Sequence, residues 1–215
     1  MEDRKIDKIY KILNAEYRKL KTPFVTVDAE KKRDPFRVLI STIISLRTKD
    51  RTTADASKKL FRLADTPKEM LSLEKAEIEN AIYPAGFYRV KAGNIQEICE
   101  ILVKDYKSRV PDDIDELLKL KGVGRKTANL VITLGYNKPG ICVDTHVHRI
   151  FNRLGYVKTK TPDSTEMELR KKLPKKYWIK INSILVAYGQ NICKPIGPKC
   201  NICRIESMCD KVGVR

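Results

Sequence analysis

The chain has 215 residues, of which 42% are apolar, and its 44 Lys and Arg against 27 Asp and Glu give a formal net charge of +17. This composition supports a substantial core in one large or two small domains and excludes a disordered chain. No apolar run approaches the ~18 residues of a membrane span, and the charged N-terminus is unlike a signal peptide. We therefore expect a cytoplasmic protein, nucleoid-associated if prokaryotic, with no membrane partner.

The positive charge is unevenly distributed along the chain. Residues 34–120 carry fifteen basic and fifteen acidic side chains, whereas residues 121–160 carry eight basic side chains and one acidic side chain, Asp144. Residues 1–33 and 161–215 have net charges of +4 and +6. A basic surface of this size favours a polyanion such as nucleic acid, although a solvated surface rich in Lys and Glu is the alternative.

The apolar pattern is helical almost throughout. One amphipathic helix near the N-terminus is predicted by the apolar positions Ile6, Ile9, Leu13, Tyr17 and Leu20. Asp34 and Pro35 then read as an N-cap and first turn, before a buried stripe at Phe36, Leu39, Ile40, Ile43 and Ile44. Shorter helical patterns follow at 53–63, 67–72, 74–82, 88–106 and 112–120. Because sustained alternation of apolar and polar residues is missing, the predicted class is all-α.

The first motif with chemical meaning runs from Leu120 to Asn129. A helix ends near Leu120, two glycines permit a tight turn, and a new helix begins near Arg125. Such a turn directs backbone N–H groups at the positive end of the second helix towards a phosphate. We predict a helix-hairpin-helix that binds the DNA backbone through Lys121, Gly122, Val123, Gly124 and Arg125. An ordinary tight turn between two helices is the alternative.

Lys126 lies in the first turn of that second helix. A lysine on a helix is normally a solvated charge, but Lys121, Arg125 and the helix dipole all disfavour its ammonium form. They are expected to lower its pKa and to leave more free amine, which can attack an electrophilic carbon and form a Schiff base.

Asp144 precedes another amphipathic pattern and reads as its N-cap. As the only carboxylate among the forty residues 121–160, it is also placed to stabilise a cationic transition state or to activate a nucleophile. His146 and His148 lie on different helix faces and make a poor metal pair. We interpret His146 as a structural residue close to the site and include it among the DNA-binding candidates.

Four of the six cysteines fall in the last 23 residues with the spacing C-x6-C-x2-C-x5-C. Disulfides are rare inside cells, so four thiolates in so short a segment predict a metal site, either Zn²⁺ or an iron–sulfur cluster. Its ligands are Cys193, Cys200, Cys203 and Cys209. The nearby Lys194 and Lys199 suggest that the metal shapes a basic, DNA-binding surface.

These three motifs, in this order, resemble the endonuclease III family of DNA base-excision-repair glycosylases. The resemblance rests on residues 120–129, 143–146 and 193–209 and extends upstream through 45–50 and 86–92. It implies two helical domains with a DNA-binding groove between them: a six-helix domain at 28–140, which holds the hairpin, and a discontinuous domain of 1–27 plus 141–215. The second domain would hold a C-terminal [4Fe–4S] cluster loop.

The resemblance also implies the reaction. Lys126 matches the family's Schiff-base lysine and Asp144 its catalytic aspartate, in a bifunctional enzyme that removes oxidised pyrimidines and nicks the abasic site by β-elimination. The substrate would be double-stranded DNA with damaged bases or abasic sites, bound by a monomer. Arg47 stands where the family often has a Gln that fills the gap left by the flipped base, and Phe87 replaces a wedge leucine. We predict that Arg47 alters the preference for the opposite base, towards guanine; the alternative is a phosphate contact.

Two other functions fit parts of the sequence. A thymine or uracil mismatch glycosylase of the same superfamily would share the motifs, but such relatives usually lack a lysine at the position of Lys126. A non-catalytic, metal-stapled DNA-binding module would need only the basic surface, the hairpin and the cysteines. A binding module of this kind would not explain why Lys126 and Asp144 are both present.

Overall fold

The computed structural model describes residues 3–20 and 22–214, which contain helices and turns but no strand. The α-helices of this part of the chain are α1 (Asp3–Tyr17), α2 (Phe24–Lys31), α3 (Pro35–Ser45), α4 (Asp50–Leu63), α5 (Pro67–Ser72), α6 (Lys75–Ile82), α7 (Tyr88–Asp105), α8 (Ile114–Leu118), α9 (Arg125–Leu130), α10 (Thr145–Arg153), α11 (Pro162–Lys172) and α12 (Trp178–Asn191). The predicted all-α class is confirmed. None of these helices has both the length and the apolar character that crossing a bilayer requires.

The chain divides into two compact units, Phe24–Lys138 and Met1–Pro23 with Pro139–Arg215. The boundaries differ by four and two residues from the division at 27/28 and 140/141 suggested by the sequence. The first unit contains eight α-helices, α2 to α9, rather than six. The difference arises because α2 begins at Phe24 and packs on α3 and α4, and because α5 and α8 are separate helices of six and five residues.

Helix α3 is central to the unit 24–138. Asp34 caps it as predicted, its Oδ1 accepting hydrogen bonds from the backbone N–H groups of Phe36 and Arg37 at 3.0 and 3.2 Å. From Phe36 to Ile44 every side chain except Arg37 is buried, so α3 is enclosed on all sides by its neighbours. The predicted stripe is confirmed, and the buried surface is wider than that stripe.

Helix α8 begins two residues later than the pattern at 112–120 predicted. Its N-cap is Asp113, whose Oδ1 accepts from the N–H groups of Asp115 and Glu116. Asp112, at which the predicted pattern starts, instead forms an exposed ion pair with Lys138.

The second unit packs α1 and α10 against α12. Its core includes Ile6, Ile9 and Leu13 of α1, and in α12 the side chains from Ile181 to Tyr188 are all buried. Helix α1 ends at Tyr17, and Leu20 packs on the same core from the following turn rather than from the helix. After α12, residues 192–214 contain only two short 3₁₀ turns, Cys200–Ile202 and Glu206–Met208.

Candidate functional site

The predicted helix-hairpin-helix is present in the unit 24–138. Gly122 adopts a left-handed conformation, with φ +74°, between α8 and α9. A Cβ atom on Gly122 would lie 2.5 Å from Nδ2 of Asn94, so both the turn and the close approach require glycine. Gly124 is the N-cap of α9 and supplies no side-chain cap, and an added Cβ there would meet no atom within 4 Å. There is therefore room beside Gly124, at the start of α9, for an external group.

The hairpin side chains occupy different environments. Val123 is buried, so its contribution to DNA binding is limited to its backbone. Lys121 is exposed and pairs with Glu97, Nζ to Oε2, at 3.1 Å. Exposed ion pairs are worth little, so a phosphate can replace Glu97 at small cost. Arg125 and Lys126 occupy the first turn of α9 and are half-buried.

Asp144 belongs to the other unit and caps α10, as the sequence predicted. Its Oδ1 accepts from the N–H groups of His146 and Val147, each at 2.9 Å, and the residue is 9% exposed. The cap thus engages one oxygen of the carboxylate and fixes the orientation of the group. A cap of this kind stabilises a helix and at the same time holds a carboxylate ready for another role.

His146 is half-buried against α12. Nη2 of Arg149 lies 3.0 Å from its Nδ1, and a Cβ on Gly189 would lie 2.5 Å from the same atom. The glycine therefore allows α10 and α12 to approach closely. Burial lowers the pKa of His148, which contacts Thr165 through Nδ1 at 2.7 Å. The two histidines thus have separate surroundings.

The four C-terminal cysteines line one cleft in the second unit, with Ile150, Tyr188 and Ile205 among the apolar residues around them. Burial is the main cause that raises the pKa of the Cys209 thiol, and the negative charges of the other three cysteines add to it. The structure thus places the four predicted ligands at one cleft. Within residues 3–20 and 22–214, however, no three or more Cys, His, Asp or Glu side chains converge as ligands of a single metal ion do.

Three of the thiols already have polar neighbours. The Tyr188 hydroxyl donates to Sγ of Cys203 at 3.1 Å, and a guanidinium N–H of Arg153 donates to Sγ of Cys193 at 3.3 Å. Cys209 donates from Sγ to the Arg153 carbonyl at 3.3 Å. Donors aimed at sulfur stabilise thiolates, which are the form that binds a metal. The donor set therefore fits a thiolate-bound metal centre.

Two arginines tie the start of this segment to α10. Arg149 donates to the carbonyls of Gly189 and Cys193, at 3.1 and 2.7 Å, and Arg153 to those of Lys194 and Pro195, at 2.7 and 2.9 Å. The sequence analysis missed both arginines. The sequence feature that could have identified them is their spacing of four residues on the helix after Asp144, which places both arginines on one helix face. Lys194 is half-buried beside them, whereas Lys199 is exposed.

The structure brings Arg47 and Phe87 together in the unit 24–138. The Arg47 guanidinium lies over the Phe87 ring at 4.9 Å, and Phe87 is 60% exposed. Both residues have a positive φ, 53° and 58°, which is uncommon for residues other than glycine. Sequence reasoning singled out both residues but gave no sign of their unusual backbone or of the buried Lys91 beneath them.

Three comparisons relate this geometry to known proteins. The family model of HhH-GPD superfamily base excision DNA repair proteins matches residues 40–175. Endonuclease III of Thermotoga maritima is 52% identical over 180 residues, which are 84% of this chain and 84% of that protein. A solved non-covalent complex of endonuclease III with DNA is 32% identical, covers 98% of this chain and 96% of its own, and superposes with a TM-score of 0.86.

A thermostable thymine-DNA glycosylase has an equally similar fold. It superposes with a TM-score of 0.87 over 97% of each chain, but at 24% identity the likeness extends to the fold alone. Fold similarity therefore does not distinguish the two activities. Sequence identity does, and it is higher for the endonuclease III chains.

Proposed function

This chain belongs to the endonuclease III family, a branch of the HhH-GPD base excision repair proteins, and on that premise we propose that it removes oxidised pyrimidines through a Schiff base on Lys126. It is a DNA glycosylase with AP lyase function, and neither a mismatch glycosylase nor a non-catalytic module is favoured. The observation that carries the proposal is a lysine in the first turn of α9, at the hairpin of a glycosylase fold.

Lys126 is the proposed nucleophile. The damaged nucleotide must leave the base stack, because its C1′ is inaccessible within the duplex. The free amine of Lys126 then forms a bond to C1′ while the bond from C1′ to the base breaks. The base leaves with that electron pair and takes up one of the two amine protons. The C1′–O4′ bond then breaks, the other amine proton passes to O4′, and an imine between C1′ and Lys126 remains. A purely hydrolytic enzyme would use water in place of this amine.

The imine explains the second, strand-nicking reaction. It acidifies the proton on C2′, and removal of that proton drives β-elimination, in which the bond from C3′ to the phosphate oxygen breaks. Water then hydrolyses the conjugated imine and releases Lys126. The lyase step therefore follows from the same residue, and an enzyme without the lysine would release the base and leave the strand intact.

Asp144 is proposed to stabilise the positive charge that develops on the sugar and to assist the activation of the amine. Its support is the α10 cap, which fixes the carboxylate through two backbone N–H groups at 2.9 Å. A fixed, largely buried carboxylate stabilises a nearby cation without reorganising during the reaction. Its side chain is 9% exposed, so water screens it little.

DNA binding is proposed to involve both units, each through its own residues. In the unit 24–138 the open start of α9 would hold phosphates, with Lys121 and Arg125 beside it. In the second unit we propose contacts from His146, Lys194 and Lys199. Complexes of endonuclease III with DNA support DNA as the partner. We further propose a monomeric enzyme that acts in the cytoplasm on damaged bases or abasic sites.

We propose that Cys193, Cys200, Cys203 and Cys209 hold a [4Fe–4S] cluster. The four thiols line one cleft, and Cys193 and Cys203 accept hydrogen bonds at sulfur, which supports thiolate ligands. The C-x6-C-x2-C-x5-C spacing resembles the cluster loop of the endonuclease III family, and this resemblance favours the cluster over a zinc ion. When bound, the cluster supplies structural cross-links to a segment without α-helices. Tyr188 and Arg153 would then donate hydrogen bonds to the cysteine sulfurs.

Borohydride trapping on a duplex with one oxidised pyrimidine tests the proposal. Reduction converts the imine into a stable amine, so the wild type should form a covalent complex with DNA that Lys126→Ala cannot form. Lys119→Ala, which changes an exposed lysine outside the motif, is the control and should trap as the wild type does. Release of the base without trapping would show that Lys126 is not the nucleophile.

A further inference from the structure

Lys91 is a buried lysine with three hydrogen-bond acceptors. It lies in the first turn of α7, is 5% exposed, and its Nζ donates to the carbonyls of Ile44 and Leu46 at 2.7 and 2.6 Å and to Oγ1 of Thr48 at 2.9 Å. Burial lowers its pKa to about 8. An apolar side chain could fill this position without the free-energy cost of removing a charge from water. The presence of a lysine here therefore indicates a role other than packing.

The three acceptors belong to the chain that leaves α3. Ile44 is in the last turn of this helix, and Leu46 and Thr48 are on either side of Arg47. Lys91 therefore holds the loop both before and after Arg47. This explains how a non-glycine residue keeps φ at +53°, a conformation that persists only where its surroundings determine it.

The same network extends to the loop that carries Phe87. The backbone N–H of Gly86 donates to Oγ1 of Thr48 at 3.1 Å, and a Cβ on Gly86 would lie 2.6 Å from the carbonyl oxygen of Arg47. The two loops are thus in direct backbone contact. A simple C-cap of α3 would engage the helix carbonyls alone, whereas Thr48 links Lys91 to the second loop.

We propose that Lys91 is a positioning residue whose ammonium holds the two loops together, so that Arg47 and Phe87 enter the DNA as one preformed pair. The inference rests on the proposed function and deepens it. The guanidinium lies 4.9 Å from the centre of the ring, and both residues are held by the contacts between their loops. A preformed pair avoids the loss of side-chain entropy that ordering two mobile residues would require.

A double-mutant cycle tests this role, with Lys91→Met and Arg47→Ala as the single variants. The readout is the single-turnover rate on a duplex lesion divided by the lyase rate on an abasic site in single-stranded DNA. The single strand has no opposite base and no stack to open, so it needs neither loop. Each variant should lower this ratio about tenfold, and the double variant no more than Arg47→Ala alone, because residues that act as one unit are not additive.

Matched variants separate this role from loss of folding. Lys104→Met makes the same change at an exposed position of α7 and should leave the ratio within twofold of the wild type. Thr48→Val keeps Lys91 but removes the hydroxyl that joins the loops, and should lower the ratio about threefold, as expected for loss of one hydrogen bond.

Additive losses in the double variant, or equal losses on both substrates for Lys91→Met, would overturn the positioning role while leaving the proposed function intact. A wild type inactive on both substrates would overturn the proposed function, and the role of Lys91 with it. The two failures are therefore distinguishable from the wild-type measurements alone.

Discussion

The unit 24–138 and the C-terminal part of the second unit achieve order in different ways. The first encloses α3 in apolar side chains, and Leu39, Ile40 and Ile44 are fully buried. Residues 192–214 have no α-helix, and Ile205 is the one side chain among them that belongs to the buried core; Arg149 and Arg153 fix the start of the segment by hydrogen bonds. Hydrophobic burial therefore orders the first region, whereas hydrogen bonds and the proposed cysteine ligands order the second.

The two units also differ in net charge. Residues 24–138 carry 22 basic and 17 acidic side chains, whereas the second unit carries 22 basic and 10 acidic side chains. The more basic unit is also the one that contains the cysteines, so its self-repulsion is greater in the absence of DNA. Binding to phosphates offsets that repulsion.

Loss of a cysteine ligand should have the largest effect. Cys203→Ala removes a proposed cluster ligand, and because structural metal centres contribute on the order of 10 kcal/mol, residues 193–214 should lose their protection against amide hydrogen exchange. Helix α3 should keep its protection. Cys99→Ala is the control: Cys99 is fully buried in the unit 24–138, burial raises its pKa to about 12, and its loss should cost about 1 kcal/mol. Unchanged protection in Cys203→Ala would contradict the proposed dependence on thiols.

Substitutions at two glycines test how tightly the C-terminal segment packs on the end of α10. Gly155 and Gly213 both have φ +69°, but a Cβ on Gly155 would lie 1.9 Å from Oδ2 of Asp210, whereas one on Gly213 meets no atom within 4 Å. Gly213→Ala should cost ~1–2 kcal/mol from backbone strain alone. Gly155→Ala should cost about 1–3 kcal/mol more, because Asp210 must move. Urea unfolding measures both, and equal losses would show that Asp210 is not held against the end of α10.

Substitution of the two aspartate caps should change the stability least and separate stability from activity most clearly. Asp34 and Asp144 each accept two backbone N–H groups through Oδ1, one in each unit. Replacing either with Ala should therefore cost about 1 kcal/mol. Only Asp144→Ala should abolish base release. Asp144→Asn retains a capping oxygen without the charge, so it should stay stable and still lose activity.

Two outcomes of the aspartate substitutions would contradict a catalytic role for Asp144. If Asp144→Asn kept its glycosylase rate, the negative charge would have no part in the reaction, and Asp144 would be a cap alone. If Asp34→Ala lost activity as completely as Asp144→Ala, the losses would reflect stability. Circular dichroism of each variant at the assay temperature distinguishes these outcomes.

The sequence predicted the helical region better than the cysteine region. Apolar spacing located α3 and α7 to within a residue or two, because a buried helix must repeat its apolar side chains at helical intervals. The caps Asp34 and Asp144 followed from the preference of aspartate for that position. The spacing of the cysteines indicated a shared centre but not its type, since thiolates bind zinc and iron–sulfur clusters alike.

Other features of the site have no local sequence signal. The positive φ of Arg47 and Phe87, and the burial of Lys91 beneath them, result from contacts between segments about forty residues apart. Lysine in the first turn of a helix ordinarily predicts a solvated charge. The division of the chain at 27/28, which the resemblance implied, placed residues 24–27 in the other domain, because only packing shows that α2 lies on α3 and α4.

The central claim is that Lys126, one of several basic residues around the hairpin, is the nucleophile. Mass mapping of the protease digest of a borohydride-trapped wild-type complex tests it most directly, because reduction leaves the sugar remnant attached to the residue that reacted. We expect the remnant on Lys126 and none on Lys121. A remnant on Lys121 or on the N-terminal amine would contradict it and would assign the lyase step to another group.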